Sequence, residues 1–288
     1  MLISKNASKT LSEAISSQEK TYCSGLFLSA RWFVVSQVAE SGTHVIIMPD
    51  KESAEYCSAD LYSLVEGDRV FFLPDSGKNV ERSNYKSSLG VQRTSAVGSI
   101  LANAANASLL YVVTYPEALE EPIPGKAKIA GAALVLKKDE EMGRDHIVST
   151  LLSQNFARVD FVSAPGQFAV RGAVIDIFSY SNNDPFRISF FGDEIEKINV
   201  FDCNTQLSKE ERESVEIFPD IIASDTESED DMSILEILPE NTVVWLDSSD
   251  MYKGKNFFSS LEKFHRVFLE IPLSEQGVEP IKFSITPQ

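Results

Sequence analysis

Apolar and polar residues alternate through segments 167–178 and 186–198, which predicts two pairs of half-buried strands. The alternation runs on both sides of Arg171-Gly172 and again on both sides of Gly192-Asp193. A period of two is typical of strands with one buried face, and glycine between two such runs indicates a tight turn. We expect the buried face to consist of Phe168, Val170, Val174 and Phe190.

Two charged residues interrupt these apolar strands, Arg171 and Asp176. Strands favour β-branched and aromatic residues, so a charge at such a position needs a partner. Two interpretations stay open. Either Arg171 pairs with Asp176 inside the sheet, or the sheet presents Arg171 to another protein.

The first third of the chain alternates short apolar runs with amphipathic ones. The apolar runs 45–48, 70–73 and 109–113 predict strands, and the stretches 51–64 and 91–105 predict helices. Continuous apolar strands separated by helices are typical of a parallel α/β sheet.

The pattern changes after the breaker cluster at 120–125, which contains two prolines and a glycine. A helix predicted over 141–153 is followed by short strands alone up to about residue 218, which indicates a small α+β unit. The acidic stretch 224–231 predicts a solvated linker, and α/β character then returns with a strand over 242–246 and a helix over 251–264. We therefore predict a parallel-sheet α/β domain (1–128 and 215–288) that is interrupted by an inserted α+β domain (129–214).

Composition narrows the possible functions. The 288 residues carry a formal net charge of −17, which repels nucleic-acid phosphates and argues against this chain binding DNA by itself. The three cysteines and three histidines have no metal-ligand spacing, so we expect reduced thiols and no metal or cofactor. No apolar run is long enough to span a membrane and no export signal is evident, so we expect a cytoplasmic protein. The strand-like run at the C-terminus suggests a longer parent chain.

One loop has the position of a phosphate-binding loop but not its chemistry. Such a loop reads G-x-x-x-x-G-K-[ST], in which the lysine reaches phosphate oxygens and the hydroxyl holds Mg²⁺. Here the run begins at Gly25, and Ala30, Arg31 and Trp32 stand where glycine, lysine and serine or threonine would be. Since Trp32 cannot ligate Mg²⁺, the sequence predicts an ordinary strand-to-helix turn.

A second nucleotide motif is also incomplete. The strand over 242–246 delivers Asp247 at its end, but Ser248 takes the place of the glutamate that an ATPase would use there. An aspartate after a strand is often only a helix cap. Because both halves of an ATP site are defective, we predict no catalytic residues in this chain, which keeps the scaffold of an ATP-binding domain without its activity.

The inserted unit offers the remaining candidate site. Arg158 and Arg171 fall on neighbouring short strands, and Phe178 ends the next strand. An arginine fork beside a flat apolar ring is typical of energetically important protein contacts. From the residues alone, an internal Arg171–Asp176 pair is the favoured interpretation, and a partner-binding surface is the alternative.

The chain resembles the N-terminal part of bacterial transcription-repair coupling factors and, through them, the UvrB nucleotide-excision repair proteins. The residues that carry the resemblance lie at 156–160, 166–178, 185–198 and 201–208, with weaker similarity at 71–75 and 285–288. The match at 166–178 reads Gly-Gln-Phe-Ala-Val-Arg-Gly-Ala-Val-Ile-Asp-Ile-Phe. This run is long, ordered and specific to these families.

The resemblance implies a degenerate helicase-like domain, interrupted by a domain that recruits UvrA through Arg158, Arg171 and Phe178. UvrB has a further arginine at the position of Ala169, so the two binding surfaces are not identical. RNA polymerase and double-stranded DNA are implied as partners of the parent protein, and a C-terminal domain there could mask the UvrA-binding face. The alternatives are a nucleotide-binding UvrB-like ATPase with damaged-DNA binding, and direct DNA binding through the inserted sheet.

Overall fold

The fold is described from a computed structural model of the chain. It describes residues 2–3, 5–17, 20–65, 69–77, 83–106, 108–182, 184–220, 230–247, 249–252, 254–271 and 277–286. Ser248 and most of the predicted acidic linker, residues 224–229, lie outside these ranges.

Seven α-helices and seventeen strands follow one another along the described chain. The helices are α1 Lys5–Ser17, α2 Ala30–Val38, α3 Lys51–Leu64, α4 Ser83–Asn106, α5 Pro116–Glu120, α6 Lys126–Ala132 and α7 Arg144–Ser153. The first strands are β1 Leu2–Ile3, β2 Lys20–Ser24, β3 Thr43–Ile47, β4 Val70–Phe72, β5 Leu110–Thr114, β6 Leu134–Lys137, β7 Ala157–Arg158, β8 Gln167–Arg171 and β9 Val174–Phe178. The remaining strands are β10 Phe186–Phe191, β11 Glu194–Phe201, β12 Ser208–Arg212, β13 Ser214–Ile217, β14 Val243–Leu246, β15 His265–Phe268, β16 Ile281–Lys282 and β17 Ile285–Thr286.

The chain divides into two compact units. The first consists of residues 1–79, 99–122 and 232–288, and the second of residues 80–98 and 123–231. The first unit contains a parallel sheet and helices, and the second contains a separate mixed sheet. This agrees with the predicted fold class, an α/β parallel-sheet domain interrupted by a small α+β domain.

The first unit is built on a seven-stranded parallel sheet with the strand order β16-β2-β15-β14-β3-β5-β4. Every residue of β3, β5 and β14 is buried, as expected for central strands covered on both faces. The predicted helix over 51–64 is confirmed as α3, which begins after Asp50, whose side chain accepts a hydrogen bond from the Ser53 amide. No described helix is long and apolar enough to cross a membrane.

The second unit contains a six-stranded sheet with the order β12-β11-β10-β9-β8-β7 and a two-stranded ribbon, β13-β6. The main core of this unit lies between one face of the six-stranded sheet, the two-stranded ribbon and α7. It includes Phe168, Ile175, Ile188 and Ile147. The prediction that Val174 belongs to this face is wrong. Val174 pairs with Arg171 across β8 and β9, so the alternation places both on the opposite face.

The region after Asp247 also differs from the sequence prediction. A helix was expected over 251–264, but the described residues form short 3₁₀ turns at Ser249–Met251 and Phe258–Lys263. Gly254 has a φ of 84°, a left-handed conformation that an α-helix cannot continue through.

A buried histidine joins two central strands of the first unit. His44 is 3% exposed. Its Nδ1 accepts a hydrogen bond from Trp245 Nε1 at 3.1 Å, and its Nε2 lies 3.1 Å from the Ser41 carbonyl oxygen. Since the indole can only donate, the imidazole must be neutral, with its proton on Nε2. Burial lowers the pKa of His44 to about 4.

Acidification from pH 7.5 to 5.5 should lower the free energy of unfolding by about 1 kcal/mol through His44. The folded-state pKa lies below the ordinary value of 6.5, so the unfolded chain takes up the proton first and is favoured as the pH falls from 6.5 towards 4. Urea unfolding followed by tryptophan fluorescence measures this effect selectively, because Trp32 and Trp245 both lie in the first unit.

The matched variants are His44→Gln, which should reduce the pH dependence, and His146→Gln. His146 lies in the second unit, outside the unfolding that the tryptophan signal follows, so its replacement should leave the measured pH dependence unchanged. A His44→Gln variant with the full wild-type slope would contradict the assignment.

Candidate functional site

Two neighbouring strands of the second unit, β8 and β9, carry two of the predicted site residues, Arg171 and Phe178, on the same face of the sheet. The register pairs Ala169 with Asp176 and Arg171 with Val174, and the turn between them has Gly172 at a φ of 58°. Phe168 and Ile175 enter the main core on one face. Ala169, Arg171 and Asp176 therefore share the other face, called the charged face below.

Asp176 is the centre of the charged face. It is 1% exposed, yet two arginines contact it. Arg187, directly opposite on β10, donates from Nε to Oδ1 at 2.8 Å and from Nη2 to Oδ2 at 2.9 Å. Arg171, the diagonal neighbour on β8, donates from Nη2 to Oδ2. A buried carboxylate needs such compensation, because removing an ion from water costs several kcal/mol.

Arg187 is held on every side. Its Nη2 also donates to Gln206 Oε1 at 2.9 Å, and its guanidinium carbon lies 4.2 Å from the centre of the Phe201 ring. The hydrogen bonds to Asp176 raise the pKa of Arg187. Its side chain is 22% exposed, so Arg187 is mainly an internal residue of the charged face.

Arg171 has a different environment. Its side chain is 36% exposed, and Asp176 is the one carboxylate that it contacts among the described residues. The guanidinium carbon lies 4.8 Å from the centre of the Phe161 ring, which is itself 63% exposed. The internal pair with Asp176 is therefore present, and the Arg171 guanidinium and the ring beside it are also partly exposed to solvent.

The loop that carries Phe161 is held in place by packing and by hydrogen bonds. Val162 is buried beside Ala169 and Phe201. The Gln167 side chain accepts hydrogen bonds from the amides of residues 163 and 164, at 2.9 and 3.2 Å. Gly166, with a φ of 80°, lies under Tyr180, where a Cβ atom would come within 2.2 Å of the Tyr180 hydroxyl. These contacts hold the loop so that Phe161 faces outward.

Neither of the other two predicted contact residues is exposed on the charged face beside Arg171. Phe178 is only 5% exposed and packs in a small cluster with Val162, Ala169 and Phe201, so its ring is not available at the surface. Arg158 is exposed and makes no ion pair with a described residue, but it lies opposite Phe168 on edge strand β7. It thus belongs to the face opposite Arg171, at the edge of the sheet. Phe161 supplies the exposed ring that sequence reasoning assigned to Phe178.

The degenerate phosphate loop lies in the first unit, and its first residue, Gly25, packs against the backbone of Phe283. Gly25 has a φ of 81°, and a Cβ atom there would lie 2.2 Å from the Phe283 carbonyl oxygen. The Phe283 amide donates to the Ser24 carbonyl oxygen at 2.9 Å. Helix α2 begins at Ala30, and both Ala30 and Trp32 are buried in the unit.

Arg31, near the start of α2, forms ion pairs with two carboxylates. Its Nη1 donates to Asp247 Oδ1 at 2.5 Å and its Nη2 donates to Glu270 Oε1. Burial raises the pKa of Asp247, while the Arg31 charge acts in the opposite direction. The carboxylate that would approach a nucleotide-bound Mg²⁺ is thus already paired with a guanidinium. Among the described residues, no group of three or more His, Cys, Asp or Glu side chains could hold a metal ion.

The second unit matches a known domain family. Residues 134–221, which include the charged face, match the family model described as "UvrB interaction domain". The transcription-repair-coupling factor of Escherichia coli is 39% identical over 89 residues, which cover 31% of this chain and 8% of that protein. The Bacillus subtilis factor is 28% identical over 198 residues, 68% of this chain and 16% of that protein.

The chain is also similar to UvrABC system protein B from several bacteria. The UvrABC system protein B of Chlorobium phaeobacteroides is 35% identical over 127 residues, 44% of this chain and 18% of that protein. The matched region is less than a fifth of the length of each of these three relatives. Residues 134–221 thus match a UvrB interaction domain, and the chain is similar to parts of transcription-repair-coupling factors and of UvrABC system protein B.

Proposed function

We propose that this chain is a non-catalytic, UvrB-like module that recruits UvrA during nucleotide excision repair. The family match covers the unit that carries the charged face, and relatives of this region are transcription-repair-coupling factors and UvrB proteins. The observation that carries the proposal is the half-exposed Arg171, which is stacked on the exposed ring of Phe161.

The chemistry of this pair defines the surface expected on UvrA. A guanidinium provides a planar fork for carboxylates, and an exposed ring provides an apolar anchor at low entropic cost. We infer that UvrA meets Arg171 with one or more carboxylates and Phe161 with an apolar pocket. Arg158 would add a second contact at the β7 edge, whereas Phe178 would act only by supporting the loop below Phe161.

The remaining partners belong to the proposal for the whole protein. We infer that the parent chain recruits UvrA to a stalled RNA polymerase and moves on double-stranded DNA through regions outside these 288 residues. A C-terminal domain of that parent could cover the charged face until it is needed. Cytoplasmic localisation is part of the same proposal.

The contacts of Arg31 support the non-catalytic part of the proposal. Arg31 forms two ion pairs, with Asp247 at the end of β14 and with Glu270 after the end of β15. The Arg31 and Asp247 side chains are only 16% and 11% exposed, so the pair is largely buried. A nucleotide would have to break a buried pair before it could bind, which is strongly unfavourable.

Replacing Arg171 with alanine should abolish detectable UvrA binding in calorimetry. Truncating a central arginine of an interface typically costs about 2 kcal/mol or more. The circular dichroism melt should change little, because Arg187 still neutralises Asp176. Normal binding by Arg171→Ala would show that UvrA uses another surface, and an unfolded variant would assign Arg171 a structural role alone.

Phe161→Ala should also weaken UvrA binding, by about tenfold, since it removes the apolar anchor. The matched control is Phe191→Ala, which removes another ring, 79% exposed, from the end of strand β10 of the same unit. The control should bind as the wild type does. Equal losses from both variants would indicate a nonspecific effect of removing surface rings.

Mg-ATP should not raise the melting temperature of this chain. A nucleotide that bound the folded state with a dissociation constant of about 10 μM would add about 2.7 kcal/mol at about 1 mM, which a thermal-shift assay detects easily. Clear stabilisation would support the alternative, a nucleotide-binding UvrB-like ATPase.

A gel shift with duplex DNA at low salt tests the DNA-binding alternative, which the net charge of −17 disfavours.

A further inference from the structure

A cavity of about 380 Å³ lies at the amino-terminal edge of the parallel sheet in the first unit. Helix α1, the end of α2 and the segments that lead into β3, β14 and β15 bound it. Small-molecule sites typically have volumes of about 300–1,000 Å³, so the cavity is large enough to hold one. The degenerate phosphate loop follows the opposite, carboxyl-terminal end of β2, so the cavity is a different site in the fold.

Two polar atoms of the cavity lining are buried without a partner. Thr242 is 0% exposed, and its hydroxyl has no hydrogen-bond partner among the described residues. His265 Nε2 lies 3.2 Å from the Thr21 hydroxyl, while its Nδ1 is buried and unpartnered. With the imidazole proton on Nε2 and donated to Thr21, Nδ1 is an acceptor. Because buried polar groups are almost always hydrogen-bonded, these two acceptors indicate a bound molecule that donates.

The charges around the cavity favour a cation. Glu40 and Glu240 are exposed residues of the lining, which contains no lysine or arginine among the described residues. Burial lowers the pKa of both His44 and His265, so neither imidazole adds a positive charge at pH 7.5. The charge of Arg266 also lowers the pKa of His265, but the alternation along β15 directs Arg266 to the other face of the sheet.

We propose that this cavity is a binding site for a small ammonium ion with a short apolar body. The ammonium group, which has three donors and no acceptor, would donate to Thr242 Oγ1 and His265 Nδ1. Glu40 and Glu240 would balance its charge, and the apolar body would contact Ile15. The site is independent of UvrA recognition and does not rest on the proposed function.

Nuclear magnetic resonance of the histidine rings tests this directly, because two of the three histidines of the chain line the cavity. The protein, labelled at histidine Cε1, is titrated with benzylammonium chloride at pH 7.5 in about 150 mM salt, where charges interact over only about 8 Å. The His44 and His265 signals should shift to saturation with a dissociation constant of about 1 mM, which is ordinary for a ligand of about eight non-hydrogen atoms. His146 lies in the second unit, and its signal should stay in place.

A matched anion and matched carboxylate variants test the choice of a cation. Benzoate carries the same ring with the opposite charge and should shift neither cavity signal. Glu40→Gln and Glu240→Gln should each weaken benzylammonium binding about threefold, as expected for an exposed ion pair. Glu52→Gln removes an exposed carboxylate of α3 outside the lining and should bind as the wild type does.

Thr242→Val tests the buried acceptor. It keeps the shape of the side chain without the hydroxyl and should weaken benzylammonium binding about tenfold, since a hydrogen bond to a charged group is lost. Its melting temperature should be equal to or above that of the wild type, because the hydroxyl has no partner to lose in the free protein.

Four results would overturn the site: no saturable shift of His44 and His265, equal shifts of all three histidines, binding of benzoate, or unchanged affinity in Thr242→Val. An equal loss of affinity in Glu52→Gln and Glu240→Gln would also overturn it, since the cation would then be attracted only by the net charge of the protein. The proposed UvrA contact would stand or fall separately, because its residues lie in the second unit.

Discussion

The charged face depends on one constraint, the burial of a carboxylate in the middle of a sheet. Asp176 is almost completely excluded from solvent, so its charge must be balanced by nearby cations and satisfied by hydrogen bonds. Arg187 and Arg171 meet both requirements with unequal geometry. The second arginine, Arg171, also contacts the ring of Phe161, whose loop is held in place by its own contacts.

The first unit shows the same principle with a different outcome. Arg31 joins Asp247 and Glu270 across the loop that would cradle phosphate in a nucleotide-binding relative of this fold. In the second unit the shared carboxylate leaves one guanidinium partly exposed. In the first unit two carboxylates share one guanidinium, and the Arg31 side chain is 16% exposed. The same kind of ion pair thus leaves Arg171 partly exposed and Arg31 largely buried.

Much of the architecture could be predicted from the sequence, and the reasons are local. The continuous apolar runs of β3 and β5 and the capped amphipathic run of α3 carry their structure in their own residues. The site was harder to predict. The motif indicated Arg171, but the burial of Phe178 depends on Val162 and Phe201, which reach it from other parts of the chain. Phe161 stands in a loop without periodicity, and Arg187 looked like an ordinary polar position of an alternating strand. Only the register of β9 and β10 reveals that it faces Asp176.

The outermost strand of the six-stranded sheet, β12, has a further consequence for the protein. All five of its residues are exposed, and they include Lys209, Glu210, Glu211 and Arg212. An open strand edge invites pairing with a strand from another chain, and closely spaced charges of both signs oppose that pairing. The charges of β12 therefore protect the open edge of this sheet from strand-to-strand association with other chains.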